Sequence, residues 1–144
     1  MSGAAATNPA ARAVTGADQG YWQALAEGRL DLPRCAGCGR WHWPAVWRCG
    51  ECGSWEHAWV PVPLTGEIFT WTRTWHPFGG LEEIGVPFVT AVVALDDAPP
   101  LRMVGIYDDG GEIAIGLRVE GRVGQTPFGG QSVPALRWRR ETAA

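Results

Sequence analysis

Four cysteines stand in two CxxC pairs, Cys35/Cys38 and Cys49/Cys52, with ten residues between the pairs. Four thiolates at this spacing can close around one tetrahedral metal ion, a donor set that suits zinc first and iron second. A glycine follows the second cysteine each time, Gly39 and Gly53. Glycine takes positive φ without steric cost, so the chain can turn its backbone N–H groups toward the sulfurs and ease the gathering of four negative charges. Two disulfides are the alternative. They need an oxidising compartment, and residues 1–17 show neither a basic n-region nor an apolar h-region, so no secretory signal is expected. A redox CxxC would not call for a second pair in the same frame. Because cysteine fills all four positions, no coordination site stays open to activate water, and the metal is expected to be structural Zn2+.

The elements that must present these thiols are short. Residues 1–17, rich in alanine, glycine and threonine, have no apolar periodicity and are expected to form a disordered tail. Asp18 is placed to cap a helix over residues 19–27, with Tyr21, Trp22, Leu25 and Ala26 on one face and Gly28 ending it. Residues 18–34 thus form a helix and lead-in to a zinc ribbon at 35–60. The aromatic stretch 40–48 between the cysteine pairs has the length of a hairpin, with Pro44 near its turn.

Residues 61–144 then change to alternating, β-branched segments. Over 66–76, Phe69, Trp71, Arg73 and Trp75 fall on one side of a strand and Ile68, Thr70, Thr72 and Thr74 on the other. Segments 87–95 and 101–107 suit a hairpin, a turn at 108–111 leads into 112–123, and 133–139 closes a fifth strand. The expected fold class is mainly β: a short N-terminal helix, a rubredoxin-like zinc ribbon and a five-stranded OB-fold barrel. Composition alone leaves an SH3-like barrel open.

At 144 residues the chain makes one domain or two small ones, and it contains no apolar run of the ~20 residues a membrane span requires. A cytoplasmic location is expected. The net charge of −3 is spread without blocks, all twelve basic residues are arginine, and a general nucleic-acid binder is disfavoured. Nine tryptophans, most of them between Trp41 and Trp75, exceed what a ribbon core can hide, which points to a partner surface.

Four runs together resemble one family: 21–56 (YWQALAEGRLDLPRCAGCGRWHWPAVWRCGECGSWE), 64–75 (LTGEIFTWTRTW), 86–97 (VPFVTAVVALDD) and 113–121 (IAIGLRVEG). They look like the zinc-ribbon plus OB-fold proteins catalogued as domain of unknown function thirty-five. The resemblance spans residues 21–138 and includes Trp43-Pro44 between the knuckles, Pro87-Phe88 before an apolar strand and the Ile115-Gly116-Leu117 step. It implies a non-catalytic accessory subunit that docks on a thiolase-like catalytic subunit, by analogy in a heterotetramer. The partner would be an acyl-CoA thiolase, an acyltransferase, or an aldolase that shortens steroid side chains, and the small subunit would help form its acyl-CoA site.

No nucleophile, base and orienting group fall into a catalytic arrangement, so no catalytic residue is assigned. His42, His57 and His76 are expected to be packing or surface residues. Candidate contacts to acyl-CoA or to the partner are Trp71, Arg73, Trp75, His76 and Phe78, beside the glycine-containing stretch 77–86, together with Arg137 and Arg139, whose planar guanidinium groups suit phosphates or carboxylates. Two other classes of function remain open: a single-strand nucleic-acid binder, because OB barrels can stack bases on tryptophan, and a rubredoxin-like electron carrier with iron in the same four sulfurs.

Overall fold

The computed structural model describes residues 16–142. The expected tail therefore lies almost wholly outside the described residues. Helix α1 (Gln19–Ala26) precedes strands β1 (Asp31–Cys35) and β2 (His57–Pro61), and the metal-binding knuckles fill the chain between those strands. Strands β3 (Thr65–Thr74), β4 (Phe88–Leu95), β5 (Arg102–Tyr107), β6 (Arg118–Phe128) and β7 (Gln131–Arg140) follow, with one 3-10 turn at Glu82–Ile84. No described helix is long and apolar enough to cross a membrane.

The five later strands close into a barrel in the order β3-β4-β5-β7-β6. Every pairing is antiparallel except β5 with β7, which is parallel and holds at only two positions, Ile106↔Arg137 and Tyr107↔Trp138. This is the expected OB-type barrel of five strands. Its interior is fully buried Ile68, Ala91, Val93, Met103, Val119, Leu136 and Trp138. Tyr21 and Leu25 of α1 and Leu30 and Leu32 at β1 join the same apolar cluster, so helix and ribbon share one core with the barrel.

Several local expectations are corrected. Asp18 makes no capping hydrogen bond to the helix backbone; its carboxylate instead accepts a hydrogen bond from Trp22 Nε1 at 2.9 Å. The buried helix positions are Tyr21, Ala24 and Leu25, and Ala26 is exposed, because the barrel meets the helix a little to one side of the expected stripe. Residues 40–48 form no hairpin. Their one ladder contact is the bridge Arg34↔Trp41, since the carbonyl of Arg40 is taken by Cys35 N–H to close the first knuckle.

In β3 the strict alternation fails. A bulge between Ile68 and Thr70 inserts a residue, so Ile68 and Trp71 both turn toward the core while Phe69 is pushed outside beneath the Arg102 guanidinium, 3.7 Å from its ring centroid. The expected strand 112–123 begins late, at Arg118. Gly116 (φ +90°) and Leu117 exchange hydrogen bonds with the backbone of Ile68 across the bulge, and only then does the chain join a regular ladder. β6 instead runs on to Phe128 and turns through Gly129-Gly130, both at positive φ (58° and 77°), directly into β7.

Candidate metal centre

The ribbon is built from a repeat longer than its cysteines. Arg34-Cys35-Ala36-Gly37-Cys38-Gly39-Arg40-Trp41 and Arg48-Cys49-Gly50-Glu51-Cys52-Gly53-Ser54-Trp55 share arginine, two cysteines, glycine and tryptophan at the same offsets. Each half folds the same way. Gly39 N–H donates to the Cys35 carbonyl and Gly53 N–H to the Cys49 carbonyl, both at 2.9 Å, and both glycines sit at φ +79°. Arg34 Nε donates to the Gly39 carbonyl at 2.7 Å and Arg48 Nε to the Gly53 carbonyl at 3.0 Å. The guanidinium groups then lie over Trp41 and Trp55, at 4.9 and 5.9 Å from the ring centroids. Sequence reasoning found the cysteine-glycine frame and missed this arginine-tryptophan clamp, although the repeated offsets carried the signal.

The knuckles bring the four Sγ atoms within 4.8 Å of one another, with Cys35···Cys52 at 3.5 Å and Cys38···Cys49 at 3.7 Å. Metal–sulfur bonds of about 2.3 Å in a tetrahedron put sulfurs roughly 3.8 Å apart, so the residues present fit one metal ion. Cys35 and Cys49 are buried, Cys38 and Cys52 exposed. The Cys35 thiol is pulled down to about 6, first by the backbone N–H of Cys38, and that of Cys49 to about 7, first by the backbone N–H of Cys52. Cys38 moves up to about 11: the backbone N–H of Arg40 favours its thiolate, but burial and the neighbouring sulfurs outweigh it. Sulfurs this close cannot all ionise without a cation among them, and a divalent ion held by Cys35, Cys38, Cys49 and Cys52 would supply the missing charge.

If the clamp sets the knuckle geometry, Arg48→Ala should weaken metal affinity about tenfold, the lower end of the effect of removing outer partners of a metal site. Competition against a chromophoric chelator measures this. Unchanged affinity would reduce the clamp to surface decoration.

The remaining candidate residues separate into two groups. Trp71 is half-buried against the core with the Arg73 guanidinium 5.3 Å from its ring centroid, while Trp75, His76 and Phe78 are exposed just beyond the end of β3. His76 and Phe78 meet edge to face at 4.7 Å. Arg137 and Arg139 lie elsewhere, on β7, and both are engaged: Arg137 reaches Asp108 (3.4 Å) and the Thr126 hydroxyl (3.0 Å), and Arg139 reaches Glu120 (3.2 Å). His42 and His57 face each other behind the knuckles, ring centroids 5.3 Å apart. Among the concavities formed by the described residues, two differ sharply in character. A polar one of about 630 Å³ between the first knuckle and the 97–101 turn includes Arg34, Arg40 and Asp97, and an apolar one of about 280 Å³ lies on the barrel wall.

Comparison with known proteins agrees with both halves of this architecture. Residues 22–57 match the family described as ChsH2, rubredoxin-like zinc ribbon domain, and residues 59–124 match ChsH2, C-terminal OB-fold domain. The chain belongs to the ChsH2 family. A curated protein of Thermomonospora curvata, named "Probable enoyl-CoA hydratase alpha subunit", is 32% identical over 105 residues, covering 71% of this chain. The chain spans about a third of that relative's length, 32%. Among solved structures, one described as an Ltp2-ChsH2(DUF35) aldolase superposes with a TM-score of 0.74 at 23% identity, over 85% of this chain and 93% of that one. A DUF35 protein of unknown function from Sulfolobus solfataricus superposes with a TM-score of 0.58 at 15% identity, over 88% and 87% of the two chains. At these identities the likeness establishes the ChsH2 fold, a ribbon joined to a barrel.

Proposed function

We propose that this chain is a non-catalytic accessory subunit of a cytoplasmic, thiolase-like acyl-CoA enzyme, of the class that includes thiolases, acyltransferases and steroid side-chain aldolases. The observation that carries this reading is the 32% identity to a protein named for acyl-CoA chemistry, within which the ribbon and barrel occupy only part of the chain. The fold shared with an aldolase whose name joins two components points the same way.

In this reading the ribbon, residues 35–60, holds Zn2+ as a structural ion and docks on the catalytic subunit, and the barrel, residues 61–144, supplies a wall of the acyl-CoA site. The contact surface we propose is the end of β3 and the chain after it, with Trp71, Arg73, Trp75, His76 and Phe78. Arg137 and Arg139 already neutralise Asp108 and Glu120, so a phosphate would have to displace a carboxylate to reach them.

The test is to tag the chain in its native host, isolate it at moderate salt and identify the proteins that accompany it by mass spectrometry. A thiolase-fold protein in near-equal amount is the expected result, and that protein should lose activity on acyl-CoA substrates when made without this chain. Recovery of the chain alone, or full activity of the partner by itself, overturns the reading. Colour distinguishes the metals: a colourless preparation holds zinc, a red one oxidised iron-thiolate.

A further inference from the structure

OB barrels bind their ligands on the face of the second and third strands, beneath the loop that joins the first and second. Here that face is β4 and β5 with the 75–87 connection, and it is concave. β5 and β7 pair only at Ile106↔Arg137 and Tyr107↔Trp138, so the two strands part toward their N-terminal ends and leave a cleft of about 280 Å³. Its lining includes Tyr21 and Trp22 of α1, Leu81 and Ile84 at the 3-10 turn, and Val104, Ile106 and Val133 of the barrel.

We propose that this cleft binds an uncharged hydrocarbon chain, and on the accessory-subunit reading above that chain is the acyl part of the partner's thioester. The lining decides the chemistry. None of its residues carries a charge. One of its two threonine hydroxyls, that of Thr126, already accepts a hydrogen bond from Arg137 Nη2 at 3.0 Å. A nucleic acid on this face would need free cations to follow its phosphates, but Arg137, which touches the lining at Thr126, is already paired with Asp108, and the 3-10 turn adds the exposed acids Glu82 and Glu83. The volume decides the size. At ~30 Å³ for each water-sized group the cleft holds roughly nine such groups, the bulk of a medium-length alkyl chain.

The walls are also held in place. Trp22 is tied by its Nε1 to Asp18 and stands edge-on to Tyr21 with ring centroids 5.1 Å apart. Burial pushes the Tyr21 phenol up to about 12, so this wall stays neutral across the physiological range. The connection carrying Leu81 and Ile84 is anchored to the β6–β7 turn, where Gly129 N–H donates to the Gly80 carbonyl at 2.9 Å. A cleft with fixed apolar walls asks little ordering of its ligand site, which favours binding over simple surface adhesion.

The experiment titrates the metal-loaded full chain with the uncharged dye N-phenyl-1-naphthylamine, followed by fluorescence, with 1-decanol as competitor. One saturable site displaced by decanol is expected. Val104 is 59% exposed, so Val104→Glu leaves the fold intact while placing a carboxylate in the cleft. It should weaken the dye at least tenfold, and Ala135→Phe, which fills the cleft without charge, should do the same. Ile115→Glu and Trp47→Gln, at exposed apolar residues outside the cleft, should leave binding unchanged. Absence of saturable binding, binding indifferent to both cleft variants, equal loss in the two control variants, or displacement of the dye by an oligonucleotide would each overturn the proposal. Because the dye is titrated against this chain alone, the result is independent of whether a thiolase-fold partner is found.

Discussion

Cys49→Ser should strip the chain of its metal and melt the ribbon. Binding of a structural ion by four thiolates is linked to roughly 10–16 kcal/mol of folding free energy in small modules, more than most domains have in reserve. Cys49, like Cys35, is buried and closes its knuckle through both backbone groups, here to Gly53 and Ser54, whereas Cys38 and Cys52 are exposed. The loss should spread. β1 pairs with β2 from Asp31↔Pro61 to Cys35↔His57, and Leu30 and Leu32 on that side are in the barrel's own core cluster. Without the knuckles, β1 and β2 are a two-stranded ladder joined by a loop of more than twenty residues, marginal in water at best. Metal analysis should fall from one ion per chain to none, and amide exchange in β1 and β2 should approach that of an open chain. Chelation at acid pH should do the same to the parent, since protons compete for thiolates that the metal requires. A Cys49→Ser protein that keeps one ion and an unchanged unfolding midpoint would remove the metal centre from any role in the fold.

Much of this architecture is legible in the sequence because its causes are local. The CxxC-glycine frame, the hairpin of 87–95 with 101–107 and the break at Asp108 to Gly111 depend on neighbours a few residues away, and each appears where it is expected. The misreadings depend on distant partners. Ile68 and Trp71 share a face only because the barrel bends at a bulge answered by Gly116 and Leu117, about fifty residues on. Asp18 looks like a helix cap until the indole of Trp22 claims its carboxylate. Arg137 and Arg139 look like free cations in sequence, and the fold sets Asp108 and Glu120 beside them. The apolar cleft has no sequence signature at all. Its walls come from α1, the 3-10 turn and four strands, and its volume comes from the splaying of β5 from β7.

Trp138→Ala should cost about 3–5 kcal/mol of barrel stability, the usual range for removing a buried aromatic side chain. Trp138 has no exposed surface, and two glycines make room for it. Gly121 faces it directly across the β6–β7 ladder, and a Cβ there would stand 2.6 Å from the indole ring; a Cβ on Gly105 would stand 2.7 Å from its Nε1. The indole thus occupies space that two missing side chains leave, at the seam where β5 and β7 are joined by only two pairs, one of them Tyr107↔Trp138 itself. Its Nε1 finds no hydrogen-bond partner, so Trp138→Phe should be far milder: the phenyl ring leaves a smaller void and removes an unsatisfied donor. Urea unfolding followed by far-ultraviolet circular dichroism, on metal-loaded protein, measures both. Gly121→Ala supplies the converse, overpacking the same contact at about 1–3 kcal/mol, and combining it with Trp138→Phe should recover part of that loss because the smaller ring clears the added methyl. Strict additivity of the pair would mean that the glycine and the indole do not compete for the same space, and that the seam is held by something other than this side chain.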